Sequence, residues 1–322
     1  MEWHQRSLRA GTWAILLAIF LRLYSSGAFI WLGELLRQPE TAAVLLYFET
    51  GKVFRPPPET TVPPTDPTTE PTLPAELPVF TAGDEELVTV RNIAGVSVDV
   101  GALLETPLQW DLTLETPSVL LLHTHATESY TQTADESYVP SGDYRTLDTG
   151  YNLVSIGNRL EDLLTDGGIG VIHGEELHDY PSYDGGYERS RATVREVLDR
   201  DAGVQLVLDL HRDAAVDEQG NQFATSCMVN NQESAQMMLV VGAGHPNWQE
   251  NMALAVKLTA LLEKMHPGIT RGIILHTYDY NQDLSPGALL VEVGAAGDTR
   301  QKALVAVEVL AEAILVLANG SK

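Results

Sequence analysis

Cysteine is nearly absent from this chain, since Cys227 is the only one among 322 residues. A single thiol excludes a disulfide within the chain and a zinc site built on cysteine pairs. Because Cys227 lies in an apolar run, we interpret it as a packed core thiol. A metal ion bound by this protein would therefore need histidine, aspartate and glutamate ligands.

Basic residues are also scarce. The chain has 20 lysines and arginines against 44 aspartates and glutamates, which gives a net charge of −24. This excess of negative charge argues against nucleic acid as a partner, and against tight binding to anionic lipid through surface charge.

Long apolar stretches are limited to the N-terminal region. Residues 12–36 are dominated by Ala, Ile, Leu, Phe and Trp, but Arg22 interrupts them. The block before Arg22 is too short to span a bilayer, whereas the whole stretch is long enough. It is either a signal peptide cleaved near residues 26–28 or an uncleaved signal anchor, and we favour the anchor. The preceding positive residues then place the remainder of the chain outside the cytoplasm.

Composition divides the chain into four segments. Residues 1–37 form the expected cytoplasmic tail and transmembrane anchor. Residues 38–82 form an acidic linker, because nine prolines and six threonines between positions 56 and 78 leave little to bury. Residues 83–117 form a small β lead-in, either a hairpin or edge strands, and residues 118–322 form the main domain.

Strand and helix patterns alternate through the main domain. Strands are expected at 119–123, 170–173, 204–210 and 288–293, and helices at 153–164, 187–200, 247–265 and 299–317. This alternation predicts an α/β fold with a mostly parallel twisted sheet covered by helices on both faces. Two further runs, 225–229 and 237–241, flank a polar turn and predict a small hairpin at the sheet edge.

Histidines and a glutamate follow the first strand of the main domain. His123, His125 and Glu128 come after the apolar run at 119–122, and ligands gather beyond the carboxyl ends of such strands. If the strand continues, His123 and His125 point to the same side. A turning chain would bring the Glu128 carboxylate beside the imidazole. Alone, this stretch is equally typical of a histidine-rich loop.

Two other apolar strands carry similar groups. His211 closes the run 204–210, and Glu292 lies inside the run 288–293, where a carboxylate is costly unless paired, protonated or metal-bound. Alone, His211 is typical of an ordinary strand end. Because parallel strands place their carboxyl ends at one edge, the three strand ends together predict a catalytic zinc (Zn²⁺) site.

The predicted zinc ligands are His125, Glu128 and His211, which leave one position for water. His123 either orients one of these ligands or replaces His125. Glu292 is the predicted general base, because an apolar setting raises the pKa of a carboxyl.

Further residues are predicted to contact the substrate. Arg212 could steady an oxyanion or a substrate carboxylate. Two polar loops, 178–183 and 278–285, suit sugar or peptide contacts and equally suit an ordinary surface loop. The predicted substrate contacts are Asp213, Tyr280, Asn281 and Gln282. A Ser-His-Asp site is excluded because no serine lies in a G-x-S-x-G elbow.

Five motifs together resemble the stage II sporulation protein P family, cell-wall hydrolases of endospore-forming bacteria. They are His-Thr-His-Ala-Thr-Glu-Ser-Tyr at 123–130, His-Asp-Tyr-Pro-Ser-Tyr at 178–183, Asp-Leu-His-Arg-Asp at 209–213, Tyr-Asn-Gln-Asp-Leu-Ser at 280–285 and Leu-Val-Glu-Val-Gly at 290–294. The resemblance extends from about residue 103 to the C-terminus and includes the anchor and spacer layout.

The resemblance implies a zinc-dependent N-acetylmuramoyl-L-alanine amidase, which cuts between the glycan and the stem peptide of peptidoglycan, with residues 118–322 as its catalytic domain. It also implies an endopeptidase activity on peptide cross-links, and action in engulfment with the stage II proteins D and M.

Carried over to this chain, the resemblance makes His125 and His211 zinc ligands and Glu292 the catalytic glutamate. Related amidases take their third ligand from the first helix, where this chain has Asn152, so Glu128 is the alternative. An Asn-rich turn expected after Glu292 is replaced by Ala-Ala-Gly-Asp-Thr at 295–299.

Two rival hypotheses remain beside the amidase. One is an exported module that binds peptidoglycan or a partner protein without cutting it. The other is a zinc carboxypeptidase, which shares the His-x-x-Glu spacing at 125–128. The full set of His125, His211 and Glu292 favours an enzyme, because a binding module does not need a buried base beside a metal site.

Overall fold

A seven-stranded sheet forms the centre of the computed structural model, which describes residues 80–108, 111–112, 116–217 and 221–320. The strands are β1 (Val90–Asn92), β2 (Val119–Leu122), β3 (Val171–His173), β4 (Leu206–Asp213), β5 (Ser226–Val229), β6 (Gln232–Ala235), β7 (Met237–Gly242), β8 (Thr270–His276) and β9 (Ala288–Ala295). The helices are α1 (Val100–Glu105), α2 (Leu153–Asp166), α3 (Gly186–Arg200), α4 (Trp248–Met265) and α5 (Arg300–Gly320). Single 3-10 turns lie at Asp84–Leu87 and Gln282–Leu284.

The main sheet has the strand order β1-β8-β7-β9-β4-β2-β3. Its neighbouring strands are parallel except for β7 and β9, which are antiparallel. The mixed α/β fold with a mostly parallel sheet is thus confirmed. The carboxyl ends of β2, β4 and β9 consequently lie side by side, and the register pairs His211 with Glu292.

Helices cover the two faces of the sheet unequally. On one face α1, α2, α4 and α5 pack with the sheet in the large apolar core. On the other face α3 places Val194 and Val197 against Leu120 and Leu122 of β2. Further along that second face, over β7, β8 and β9, lies a small apolar cluster that includes Met238, and this cluster forms the floor of a cleft.

The predicted hairpin has a different partner from the one expected. The strand β5 pairs with β6 as a separate two-stranded unit, while β7 lies in the middle of the main sheet. Asn230 and Asn231 both have positive φ, 48° and 66°, which closes a tight two-residue turn. Because the turn is so short, β5 pairs with the four residues that follow it, which are those of β6. The residues of β7 are all buried, as expected for a central strand.

The segment predicted as a small β lead-in contributes one strand, β1, which extends the main sheet beside β8. The alternating run 96–100 does not form a second strand. Instead, Asp99 accepts a hydrogen bond from Ala102 N at 3.0 Å and caps the short helix α1.

The prediction of a membrane-anchored protein is wrong for the described part of the chain, where no helix is both long and apolar enough to cross a membrane. The longest apolar helix, α5, packs on the core and carries Glu308 and Glu312 on its exposed positions. The segment 1–37 that suggested the anchor lies outside the described residues, as does most of the predicted linker 38–82. The anchor therefore has no part in the functional proposal below.

Candidate metal centre

Three buried side chains from two strand ends form a group able to hold a metal ion. One ligand atom from each of His125, Glu128 and His211 lies within 4.8 Å of the others. The Glu128 carboxylate is 3.9 Å from His125 Nδ1 and 3.7 Å from His211 Nδ1. Ligands of one tetrahedral zinc ion lie about 3.4 Å apart. Two imidazoles and a carboxylate at these distances therefore fit zinc.

The chain turn after β2 places two members of this group. The strand ends at Leu122, and Glu128 N donates a hydrogen bond to His125 O at 3.0 Å. The turn brings the Glu128 carboxylate back towards the imidazole. The alternative third ligand, Asn152, is fully buried and accepts a hydrogen bond from Val154 N at 3.0 Å, which caps α2. Glu128 is accordingly the better placed of the two.

His123 does not join this group, because the strand that would have placed it on the same side as His125 ends at Leu122. It is fully buried, with Nε2 at 2.9 Å from His173 Nε2 and Nδ1 at 3.3 Å from Leu210 O. Because β2 ends before it, the two-residue alternation of a strand no longer applies. Burial, followed by the nearby His173, lowers the pKa of His123 to about 3. Its contact with the metal-ligand group runs through the backbone of Leu210, next to His211.

Two arginines hold the Glu128 carboxylate. Arg145 lies 3.1 Å from Oε1, and the backbone N of Arg212 donates to Oε2 at 3.2 Å. Arg145 also forms an ion pair with Asp179 at 2.5 Å. Burial raises the pKa of Glu128, but Arg212, His211 and their neighbours outweigh it and bring that pKa below its ordinary value. The carboxylate is thus kept ionised, as a metal ligand must be.

Arg212 is occupied by contacts within the protein. Its Nε donates to Ser129 O at 3.1 Å, another nitrogen donates to Tyr144 O at 3.3 Å, and a third lies 3.6 Å from Glu128. The side chain is buried. These contacts favour a role in positioning Glu128 over the predicted contact with an oxyanion or a substrate carboxylate.

Asp209 stands behind His211, and the sequence interpretation missed it. His211 Nε2 lies 3.0 Å from Asp209 Oδ1, although the contact lacks hydrogen-bond geometry. Asp209 is fixed by Thr124, which donates through N at 2.7 Å and through Oγ1 at 2.6 Å. Burial lowers the pKa of His211, but Asp209 and the other carboxylates reverse this and raise it to about 9. The sequence did contain a signal for this contact, because Asp209 lies two residues before His211 and a carboxylate often orients a metal-binding histidine.

Glu292 lies beside His211 on the neighbouring strand. The residue is half-buried, but its Oε2 is buried and has no hydrogen-bond partner among the described residues. Burial raises its pKa to about 8, and Glu128 and Asp213 act in the same direction. Glu292 is therefore a proton-accepting group beside the metal-ligand group, and within the described part of the chain its Oε2 is not engaged by another side chain.

Tyrosine rings enclose the histidines from the cleft side. Tyr183 stacks on His125 with ring centroids 4.5 Å apart, and Tyr187 lies 5.5 Å from His125 and 6.4 Å from His211. The sequence analysis did not identify Tyr187 as a site residue, because it lies in a segment predicted only as a helix. Tyr183 belonged to one of the predicted cleft loops. The cleft has a volume of about 320 Å³.

The predicted substrate contacts divide into two sets. Asp213 and Tyr280 line the cleft, although Asp213 is paired with Arg271 at 2.7 Å. Asn281 donates to Tyr187 O at 2.9 Å, and the buried Gln282 bonds Gly242 N and Val240 O, each at 2.8 Å. Residues 280 and 281, which precede Gln282, have positive φ, 51° and 61°. Both side chains make hydrogen bonds within the protein, and their contact with substrate stays a prediction.

A family model for Stage II sporulation protein P (SpoIIP) matches residues 82–315. The Stage II sporulation protein P of Bacillus subtilis (strain 168) is 27% identical over 195 residues, which cover 57% of this chain and 47% of that protein. The chain thus spans about half the length of the curated relative it matches.

Solved structures of amidases are similar at low identity. One is the CwlD amidase from Clostridioides difficile in complex with the GerS lipoprotein, with 12% identity, a TM-score of 0.40, and coverage of 63% of this chain and 98% of that chain. Another is the catalytic domain of CwlV, an N-acetylmuramoyl-L-alanine amidase from Bacillus (Paenibacillus) polymyxa var. colistinus, with 10% identity, a TM-score of 0.36, and coverage of 63% and 97%.

Proposed function

The chain belongs to the Stage II sporulation protein P family, and from this premise we propose that it is a peptidoglycan hydrolase that acts in sporulation. The proposed reaction is hydrolysis of the amide between N-acetylmuramic acid and L-alanine. The observation that carries this proposal is the His125–Glu128–His211 group with Glu292 beside it, whose Oε2 has no hydrogen-bond partner in the described residues.

Zinc is the cofactor that the donor set supports best, with His125, Glu128 and His211 as its ligands. Two imidazoles and a carboxylate suit zinc, and cysteine takes no part. A zinc ion held there would polarise the carbonyl, activate a water molecule and, through its charge, favour the ionised form of Glu292.

The protein's own side chains would then transfer the proton and stabilise the negative charge that develops on the carbonyl oxygen. Glu292 takes a proton from the attacking water as the water oxygen bonds to the carbonyl carbon, and delivers it to the nitrogen as the C–N bond breaks. Burial, and then Asp209, raise the pKa of Tyr187, so its hydroxyl stays protonated. The Tyr187 ring lies 5.5 Å from His125, so its hydroxyl would donate to the carbonyl oxygen as negative charge develops there.

Two finer elements of the proposal rest on family membership. One is a second, endopeptidase activity on the peptide cross-links of the same polymer. The other is association with the stage II proteins D and M.

Digestion of purified peptidoglycan by the full chain tests the proposal, with products identified by mass spectrometry. We expect free stem peptides and peptide-free glycan, which disappear when a chelator is added and return with zinc. Cleaved cross-links would add the endopeptidase. If the protein binds the wall but releases no product under any metal condition, the enzyme proposal fails and a binding module takes its place.

The variant Glu292→Gln tests the proposed base. Amide hydrolysis should fall by about 10²- to 10⁴-fold, the usual contribution of a general base, while the zinc content of the purified protein stays unchanged. The matched control is Glu312→Gln, because Glu312 is exposed on α5. Near-normal hydrolysis by Glu292→Gln would contradict the assigned role.

A further inference from the structure

A row of aromatic rings leads away from the metal-ligand group along the cleft. The Tyr187 ring lies 6.4 Å from His211, Tyr280 lies 5.9 Å from Tyr187, and Tyr278 lies 6.0 Å from Tyr280. Tyr278 is stacked on His276, with ring centroids 4.6 Å apart and planes inclined by 10°. We call Tyr187, Tyr280, Tyr278 and His276 the ring row.

The outer part of the ring row is open to solvent. Tyr278 is 64% exposed, and the neighbouring cleft residue Ile93 is 46% exposed. The cleft floor beside them is apolar and includes Val240, Ile274 and Leu290. An exposed ring beside half-buried rings and an apolar cleft floor, continuous with a proposed reaction centre, is typical of a binding surface.

Charge separates the two ends of the cleft. The charged lining residues are Glu128, Arg212, Asp213 and Glu292. In the strand register Met238 is opposite Glu292. Two residues further along β7, on the same face of the sheet, Val240 is opposite Leu290. From that position onward the lining side chains are apolar or aromatic, with His276 as the polar exception. This end suits a ligand that is uncharged and has flat apolar faces.

We propose that the ring row is a saccharide subsite that holds the glycan strand while the amide lies over the metal-ligand group. The C–H face of one N-acetylated sugar would pack on Tyr280, which lines the cleft, and the next sugar would contact the exposed Tyr278, whose ring lies 6.0 Å away with its plane inclined by 80°. Stem peptides carry carboxylates, which suit this end less in a protein with a net charge of −24. The inference rests on the proposed function, which supplies the polymer.

Titration of the full chain with chitotetraose, a neutral and peptide-free sugar, tests the subsite. Calorimetry is done on metal-free protein, so binding is measured without cleavage. We expect saturable binding, with affinity reduced about tenfold by Tyr278→Ala, because the variant removes an aromatic contact residue. Tyr278 is exposed, so the variant should fold. The control Tyr180→Ala removes another exposed tyrosine, 52% accessible and outside the ring row, and should bind normally.

Several outcomes separate this inference from the proposed function. Hydrolysis of peptidoglycan without any binding of chitotetraose would overturn the subsite and leave the enzyme proposal intact. Binding that depends on Tyr278, without hydrolysis by any metal form, would support the subsite and overturn the enzyme proposal. Equal binding of maltotetraose, or binding of a peptide with the sequence of residues 56–78 in place of the sugar, would also overturn the saccharide assignment.

Discussion

His123 and His125 are two residues apart and both are buried, yet they lie in different regions of the molecule. His125 faces the cleft, where Glu128 and His211 approach it. His123 faces α2 and contacts His173, whose Nδ1 lies 3.2 Å from Glu161 of that helix. We call these two environments the cleft side and the helix side. The difference teaches that a histidine-rich motif does not assign a role to each of its histidines, because the surroundings decide which one can reach a metal.

The largest expected effect separates the two glutamates of these environments. Glu128→Gln should abolish zinc binding and reduce hydrolysis to the level of chelated protein, because a neutral amide replaces the anionic ligand. Glu161→Gln removes the carboxylate on the helix side and should keep both. Zinc content and release of stem peptides are measured for the two purified variants. If Glu128→Gln and Glu161→Gln lose zinc and activity equally, the two environments do not differ in function.

The second largest expected effect is on how the free energy of unfolding depends on acid pH, which should differ between the helix side and the cleft side. The folded chain resists protonation of His123 until about pH 3, whereas the unfolded chain takes up that proton near pH 6.5. Stability from this group is therefore present above pH 6.5 and is lost as the pH falls towards 3, on the order of a few kcal/mol. In metal-free His123→Gln, the free energy of unfolding should fall less steeply across this window.

His211 provides an internal comparison for that experiment. Its pKa is raised to about 9, so its contribution is present below pH 6.5 and is lost between 6.5 and about 9. His123→Gln should leave this alkaline part of the stability profile unchanged, as measured by urea unfolding at each pH. An unaltered acid slope in His123→Gln would contradict the assigned environment.

The smallest expected effect comes from Gly157 on α2. A Cβ atom there would lie 2.5 Å from His173 Nε2 and 2.7 Å from His123 Nε2, which forces the two rings apart. Gly157→Ala should destabilise the protein by about 1–2 kcal/mol, because overpacking outweighs the gain in helix propensity. Zinc affinity should not change. In the control Gly101→Ala, the nearest atom is 3.6 Å away, so stability should be equal or higher. Thermal unfolding and zinc titration measure both quantities, and a loss of zinc affinity in Gly157→Ala would show that the sides are coupled.

Much of the scaffold was predictable because its signals are local. The apolar run of β2 and the alternation of strands and helices lie within short windows of sequence, and they indicated the parallel sheet. Parallel strands then brought His125, His211 and Glu292 to one edge. The pairing of β5 was less accessible, since it depends on the positive φ of Asn230 and Asn231, which permits a turn of two residues.

The side-chain partners around the site were less predictable because they come from distant parts of the chain. Arg145 approaches Glu128 from a loop, and Arg212 turns back onto the same carboxylate. The inward amides of Asn281 and Gln282 likewise find partners on α3 and β7. No short window of sequence contains both members of these contacts.

By itself, the sequence determined the α/β class of the main domain, the absence of cysteine ligands and the residue types available for a metal. Those properties follow from periodicity and composition, which act over a few residues. Only the tertiary structure decided that His125 faces the cleft while His123 packs against α2, and that Arg212 positions Glu128. The physical reason is that the direction of a side chain beyond a strand end is set by the turn and by partners far away in the chain. For His123 that partner is His173, 50 residues further along.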